Sequence, residues 1–544
     1  MADTPESSGQ AGTGPPTGTA AASAAVWVPQ FNPWLIAVVV AMAAFMEVLD
    51  TSIANVALPY MAGSLGASND QSTWVLTSYL VSNAIVLPIS GWIAGAIGRK
   101  RFFMICLVIF TLSSLLCGIA PSLGTIIFFR ILQGAGGGGL QPMAQAILAD
   151  TFPPEKRGLA FALYGVTAII APTIGPTLGG WITVNYTWRW IFFINLPVGI
   201  LALFLIARLV EDPPWVRRSP GARVKFDYVG ISLLTLGVGA LQVMLDKGQE
   251  DDWFGSHFIF TLAVLAAVGL VSFVVWEWFY KHPIVEVQLF RNLNFLASNG
   301  MMFVLGILLF SSLVMMPLFL QSLMGYTAES AGLVLSGGGL LLLFLMPVVG
   351  ILSAKVQARY LVAFGWLTLS IGMYISSRQL DLQVSFLSAS VLRLAQVFGL
   401  AFLFVPINLA SYIGMPAEKS SSVAGLVNFM RNIGSSVGTS MVTTLIERRS
   451  QVHQVFLASD VSAGRPGLAA EVMGLTARLT ASGMSAARAA AQANAIVFRD
   501  VIAQATTLAY IDTFMILAGA SAVMFVLSFG LKKNEPGRRR VVME

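Results

Sequence analysis

The sequence predicts an all-α polytopic membrane protein, and three observations carry that prediction. Of its 544 residues, 56% are hydrophobic and only 11% charged, with a mean hydropathy of +0.77, far from the averages of soluble domains. Apolar stretches of roughly 20 residues, the length that crosses a hydrocarbon core about 30 Å thick, recur along the whole chain. The charges sit in short runs between those stretches, so the net charge of +6 reads as membrane topology. A basic face for nucleic acid is not expected.

Taken in order, residues 1–33 are rich in Gly, Ala, Ser, Thr and Pro and carry no Lys or Arg. They therefore lack the basic start of a signal peptide and are expected to form a disordered N-terminal tail. Eight apolar spans follow at 34–59, 73–97, 102–120, 124–149, 158–183, 189–208, 227–245 and 257–279. Six more lie at 294–323, 330–353, 360–377, 386–414, 421–446 and 509–531, giving fourteen. Residues 447–508 form an abnormally long connection, Ala-rich and intermittently amphipathic, with Gly464 and Pro466 expected to break it. A basic tail, 532–544, closes the chain. Cys106 and Cys117, the only cysteines, share one apolar span, where packing is the expectation rather than a disulfide or a metal.

Orientation follows from the positive-inside rule. With both termini cytoplasmic, the inside segments hold twenty Lys and Arg, among them Arg99, Lys100, Arg101, Lys156, Arg157, Arg217, Arg218, Arg223 and Lys225. The short outside loops hold only Arg189, Lys247 and Arg378. Residues 447–508 then lie outside, either as a solvated insertion or as a docking surface for a partner.

An internal repeat divides the chain. "RILQG" at Arg130 returns as "RLAQV" at Arg393, and "GWIAGAIGRK" at Gly91 is faintly echoed by "GILSAKVQAR" at Gly350. Two six-helix halves around a midplane site account for it, as in secondary transporters that alternate access by rocking one half on the other. The halves are expected at 34–208 and 294–531, the latter including 447–508, with a linker and two extra central helices at 209–293.

"FMEVLDTSIANVALP" from Phe45 to Pro59, "FFRILQGAGGGG" from Phe128 and "GVTAIIAPTIGPTLGGWI" from Gly165 together resemble the major facilitator superfamily, specifically its fourteen-span drug:proton antiporters of the EmrB/QacA type. "WRWIFFINLPVGI" from Trp188 and "LAYIDTFMILAG" from Leu508 are similar to the same family, and the long outer loop resembles its EmrB branch. The resemblance covers 34–531. It implies a major facilitator fold and multidrug efflux by antiport across the cell inner membrane. It also implies a periplasmic membrane-fusion adaptor and, through it, an outer-membrane channel. In the loop after span two the family's acid and following Arg are replaced by Gly95 and Ala96, leaving Gly91, Gly98, Arg99 and Lys100 as the gate-loop candidates.

Ionisable groups at membrane depth cost at least about 2.5–3.5 kcal/mol on insertion scales, so they tend to face a cavity and perform work. Glu47 and Asp50, three residues apart in span one, share a helix face and are the proton-carrier candidates, Asp50 being the one that matches the family signature. Arg130 keeps its charge and is expected to act on Asp50; its alternative is to bond a neighbouring helix end. Arg393 and Arg431 in the second half carry the same two readings. Gly165, Gly175, Pro176, Gly179 and Gly180 fit a hinge or seal in span five that packs closely on a neighbour in the other half, or plain close packing. Asn55, Gln133 and Gln141 are the polar candidates for the substrate cavity.

The run Gly136–Gly139 lacks the Lys and the preceding strand of a phosphate loop, and no nucleotide or metal spacing occurs. No cofactor is expected; the proton gradient is the expected energy source. The expected substrates are lipophilic small molecules, extending to weak acids because two acids face three arginines. Proton-coupled uptake on the same fold and a non-transporting membrane scaffold are the competing readings. An enzyme is not expected, since no nucleophile, base and orienting group come together in the sequence.

Overall fold

In a computed structural model, residues 29–216, 226–460 and 466–533 are described, and no strand occurs among them. The helices are α1 Pro33–Leu65, α2 Asn69–Ile97, α3 Arg99–Ile119, α4 Leu123–Thr151, α5 Pro154–Asn185, α6 Trp190–Phe193, α7 Asn195–Leu209, α8 Tyr228–Lys247 and α9 His257–Phe279. They continue with α10 Leu293–Ser322, α11 Ala328–Ser353, α12 Ala358–Gln379, α13 Phe386–Ser411, α14 Ser420–Asp460, α15 Pro466–Ala481 and α16 Ala486–Leu527.

Local chemistry sets their ends. Asn32 accepts the Trp34 N–H at 2.9 Å ahead of Pro33, which has no N–H to leave unpaired. Ser68 and Gln71 form a reciprocal capping box on α2 with both bonds at 3.1 Å. Between α2 and α3 the chain reverses at Gly98, whose φ of 95° is open to glycine and strained for other residues.

Among the described residues, twelve helices are long and apolar enough to cross a membrane: α1–α3, α5, the α6–α7 pair taken together, α8–α13 and α16. Helices α4 and α14 complete the fourteen spans. Gly and Gln dilute the first, and Ser, Gly and Asn the second. Both are surrounded by other helices, where side chains meet protein and need not be apolar.

In the first half α1 lies along α5, and α2 and α3 along α4; in the second α10 lies along α14, and α12 along α13 and α16. The halves meet where α5 runs beside α11 and α2 beside α14. The extra pair α8–α9 closes through glycine, since a Cβ on Gly237 would fall 2.7 Å from the Leu270 nitrogen. It leans on α2 and α14: Asp246 accepts the Thr77 hydroxyl, Gln242 accepts that of Ser436 at 3.0 Å, and Lys247 pairs with Asp70 at 2.7 Å.

Three expectations need amendment. Span six is not one helix but breaks at Ile194 between α6 and α7. The segment 447–508 is not a separate insertion: α14 runs on unbroken to Asp460 and α16 begins at Ala486, so two spanning helices project past the bundle as a hairpin with α15 on its flank. Its root is braced by Asp512, which takes Arg449 at 2.5 Å and His453 at 2.8 Å. Pro466 begins α15 rather than interrupting a helix, which suits its missing N–H. Gly464, the N-terminal tail up to residue 28, the basic run within 217–225 and residues 534–544 lie outside the described residues.

Candidate functional site

Asp50 and Glu47 lie one turn apart on α1, 2% and 3% exposed. Despite that proximity they belong to two different polar clusters. Asp50 Oδ2 is 2.6 Å from Arg130 Nη1, while Oδ1 accepts Gln133 Nε2 at 3.0 Å and Asn195 Nδ2 at 2.6 Å. The Arg130 side chain is fully buried; its Nε donates to the Val75 carbonyl at 3.1 Å, and its guanidinium carbon lies 4.2 Å from the centre of the Tyr79 ring. Asn195 reaches Asp50 from the break between α6 and α7 and is steadied by Ser114 Oγ at 3.0 Å. Arg130 thus pairs with Asp50 and also satisfies a carbonyl within α2.

The Glu47 cluster crosses between the halves. Glu47 Oε1 accepts the Tyr79 hydroxyl and Asn83 Nδ2, each at 3.0 Å, and Oε2 accepts Gln141 Nε2 at 2.5 Å. The far side of Gln141, its Oε1, accepts the Tyr164 hydroxyl at 3.0 Å and Arg431 Nη2 from the second half. Tyr164 also lies 3.4 Å from Asn428 Oδ1, and Asn428 donates back to Gln145 at 2.8 Å. Tyr79 joins the clusters, with its hydroxyl on Glu47 and its ring under Arg130. The glycine run in α4 makes this possible: a Cβ on Gly137 would sit 2.6 Å from the Tyr79 hydroxyl and 3.3 Å from Glu47 Cγ.

The remaining candidates are spread more widely. Gln133 belongs to the Asp50 cluster, and Gln141 and Arg431 to the Glu47 cluster. Arg393 lies apart, deep in the second half. Asn55, five residues beyond Asp50 on α1, is exposed. Of the span-five residues, Gly165 faces the other half, where its Cβ would meet Phe404 at 2.9 Å. Gly175, Gly179 and Gly180 instead pack on Ser52, Ile53 and Val56 of α1, within their own half. Pro176 has no N–H for the Pro172 carbonyl, which accepts the Ser52 hydroxyl at 3.2 Å. Gly158 also presses α5 against α11, with a would-be Cβ 2.6 Å from the Gly350 carbonyl oxygen.

Gly91 is pressed against Ser422 of α14, with a would-be Cβ 2.6 Å from its Cα. Arg99 forms a buried ion pair with Asp150 and donates to the Ala417 carbonyl of the second half at 3.4 Å. Asp212, beyond α7, accepts the Lys100 N–H at 2.8 Å. Asp150 and Asp212 thus bring acids to a loop that holds Gly95 and Ala96 where the family pattern has an acid and an Arg. The halves are closed against each other at this basic end.

Sequence reasoning passed over Tyr79, Asn83, Tyr164, Asn195, Asn428, Gln145, Asp150 and Asp212. A signal was present: Tyr79 with Asn83, and Gln141 with Gln145, are polar pairs four apart in apolar helices, which places each pair on one face. Among the described residues no three His, Cys, Asp or Glu side chains converge as a metal site. What the arrangement can do is hold and release a proton on a buried carboxylate and couple that change to contacts between the halves.

The family profile described as Major Facilitator Superfamily matches residues 40–439. The chain is 40% identical over 432 residues to a protein named multidrug export protein EmrB from Haemophilus influenzae, covering 79% of this chain and 84% of that one. It is also 40% identical over 428 residues to the fatty acid resistance protein FarB of Neisseria gonorrhoeae, covering 77% and 82%. In fold it is similar to a solved double-tryptophan mutant of XylE, with a TM-score of 0.59, 16% identity, and 93% and 97% of the two chains covered.

Proposed function

The chain belongs to the major facilitator superfamily, whose members are transporters and not enzymes, and we propose that it exports lipophilic compounds, weak acids among them, in exchange for protons. Export is supported by the names of its relatives, one a multidrug export protein and one a fatty acid resistance protein. Those names favour efflux over uptake and over a scaffold role. The observation that carries proton coupling is the pair of buried carboxylates on α1, Asp50 held by Arg130 and Glu47 hydrogen-bonded through Gln141 to Arg431 of the other half.

The basic end is then cytoplasmic, with both termini inside and the chain in the inner membrane, a reading supported by the distribution of Lys and Arg. In the closed-inside state the seals at Gly91–Ser422 and Gly158–Gly350 hold the halves together. A proton arriving from outside neutralises Asp50 and frees Arg130 from its ion pair. Tyr79, shared by both clusters, passes the change to Glu47, and the Gln141–Arg431 bridge loosens. Substrate leaves outward, the halves rock, and the proton departs inward.

No nucleotide motif supplies energy, and a membrane potential gives about 2.3 kcal/mol per charge per 100 mV. One proton per cycle sustains roughly a fifty-fold concentration ratio per 100 mV, since about 1.4 kcal/mol is a factor of ten.

The projecting α14–α16 hairpin is assigned to the periplasm as the docking element for a membrane-fusion adaptor and, beyond it, an outer-membrane channel. Support comes from apolar side chains exposed on the hairpin, including Val455 at 71%, Phe456 at 66% and Phe498 at 66%.

The test is proton exchange in proteoliposomes, with a pH-sensitive dye inside and a substrate added against an imposed gradient. Asp50→Asn and Glu47→Gln should each abolish substrate-induced proton movement while the protein stays folded. Wild-type exchange in both variants would end the assignment, and no proton movement in the wild type would end the antiport reading.

A further inference from the structure

The two halves repeat an arginine and a glutamine in corresponding helices. Arg130 and Arg393 each lie seven residues past the first residue of their helix, α4 and α13, and each carries a Gln three residues on that accepts its Nη1: Gln133 at 2.9 Å and Gln396 at 3.3 Å. The helices facing them also correspond, α1 and α10 being the first of each half. In the first half α1 offers Asp50, and the charge is matched. In the second, α10 offers only the hydroxyl of Ser312, which accepts Arg393 Nη1 at 3.0 Å.

Arg393 therefore carries a positive charge at 1% exposure with no ion pair among the described residues. Its Nε is buried without a hydrogen-bond partner. Gln396 is turned to present its oxygen by donating its amide to Ser376 at 2.9 Å. Helix α11 passes the arginine with almost no side chain: a Cβ on Gly338 would sit 3.5 Å from Arg393 Cγ, and one on the adjoining Gly337 would meet open space. A guanidinium cannot shed its proton, and leaving it unmatched at membrane depth is costly unless an anion comes to it.

We propose that Arg393, held in place by the acceptor oxygens of Ser312 and Gln396, forms a second-half anion site whose guanidinium takes one monovalent anion, foremost the carboxylate of a lipophilic acid. Where the first half neutralises its arginine with a titratable side chain of its own, the second neutralises it with a ligand. The site deepens the export reading by assigning its acidic substrates to a named cation, but the site itself does not depend on transport.

The test is equilibrium dialysis of the purified full-length chain in an uncharged maltoside detergent. Radiolabelled benzoate, the simplest aromatic carboxylate, serves as one probe and radiolabelled chloride as the other. Arg393→Gln removes the cation, Ser312→Asp installs the missing carboxylate, and Ser312→Asn adds the same bulk without charge. Saturable benzoate binding should weaken at least tenfold in Arg393→Gln and Ser312→Asp, and less than threefold in Ser312→Asn. Because arginine stays charged, the affinity should also hold constant between about pH 6 and pH 8.

Saturable binding of chloride alone, with the same variant pattern, assigns the site to an inorganic anion. Absence of saturable binding of both probes overturns the proposal, as does equal binding by wild type, Arg393→Gln and Ser312→Asp. Should Ser312→Asp fail to elute as a monodisperse peak, Arg393→Gln against Arg393→Lys decides, since Lys keeps the charge and should retain more binding than Gln. Dialysis requires no transport, so a negative result here leaves export untouched, and loss of export with binding intact strikes only the transport reading.

Discussion

Replacing Asp50 by Asn leaves the shape of α1 unchanged and strips the counter-charge from Arg130. At the observed separation of 2.6 Å, and with an effective dielectric constant near 20, the direct attraction amounts to about 6 kcal/mol. Asn retains an oxygen that Arg130 can still bond, and Gln133 and the Val75 carbonyl remain in place. The expected net cost is therefore about 3–5 kcal/mol, the range for removing one member of a buried pair. Arg130→Met leaves Asp50 buried with Gln133 and Asn195 and should cost a similar amount. The double variant Asp50→Asn/Arg130→Met contains neither charge, so it should be more stable than the summed single losses require, by about 2 kcal/mol or more. Unfolding of the purified variants in mixed micelles of increasing denaturing detergent measures all four corners of the cycle. If the double loss equals the sum of the single losses to within about 0.5 kcal/mol, Arg130 and Asp50 do not act as a pair, and the proton step built on their separation fails with it.

Three further outcomes follow from the same geometry. Tyr79→Phe removes one donor from Glu47 and keeps the ring under Arg130, so it should cost about 1.5–3 kcal/mol in the same unfolding assay and shift the pH dependence of proton exchange; an unchanged pH profile would separate Tyr79 from coupling. Gly158→Val drives a side chain into the Gly350 carbonyl, opposing closure of the basic end by about 1–3 kcal/mol. A maleimide probe on an introduced Ser422→Cys should react several-fold faster in that background, a clean readout because both native cysteines are buried. Lys247→Met removes ion pairs to Asp70 and Glu250, which are 71% and 45% exposed; after solvent screening the loss should stay within about 1 kcal/mol, with transport preserved.

The membrane class, the fourteen spans and the presence of two acids at membrane depth were legible from the residues alone. Each of these is a local property. A run of apolar residues has a length that either matches a bilayer or does not, and the spacing of Glu47 and Asp50 assigns them one face of α1 regardless of what lies opposite. The internal repeat likewise made Arg393 visible beside Arg130 before any helix was placed. The glycines of span five were also legible, but not their neighbours: only Gly165 of those named faces the other half, while Gly175, Gly179 and Gly180 lie against α1.

Partnership, by contrast, came from helix packing. Arg130 meets Asp50 across 80 positions, Asn195 meets Asp50 across 145, and Arg431 meets Gln141 across 290. Such pairings depend on the order and tilt in which helices pack, which no helical periodicity encodes. The same holds for the gate loop, where Asp150 and Asp212 reach Arg99 and Lys100 from other helix ends. It holds for Arg393 too: the sequence shows a buried cation, and only the packing of α10 and α11 around it reveals a hydroxyl and bare glycine where the first half has a carboxylate. Burial is written in each helix, but the charge that answers a buried group comes from whichever helix the fold sets beside it.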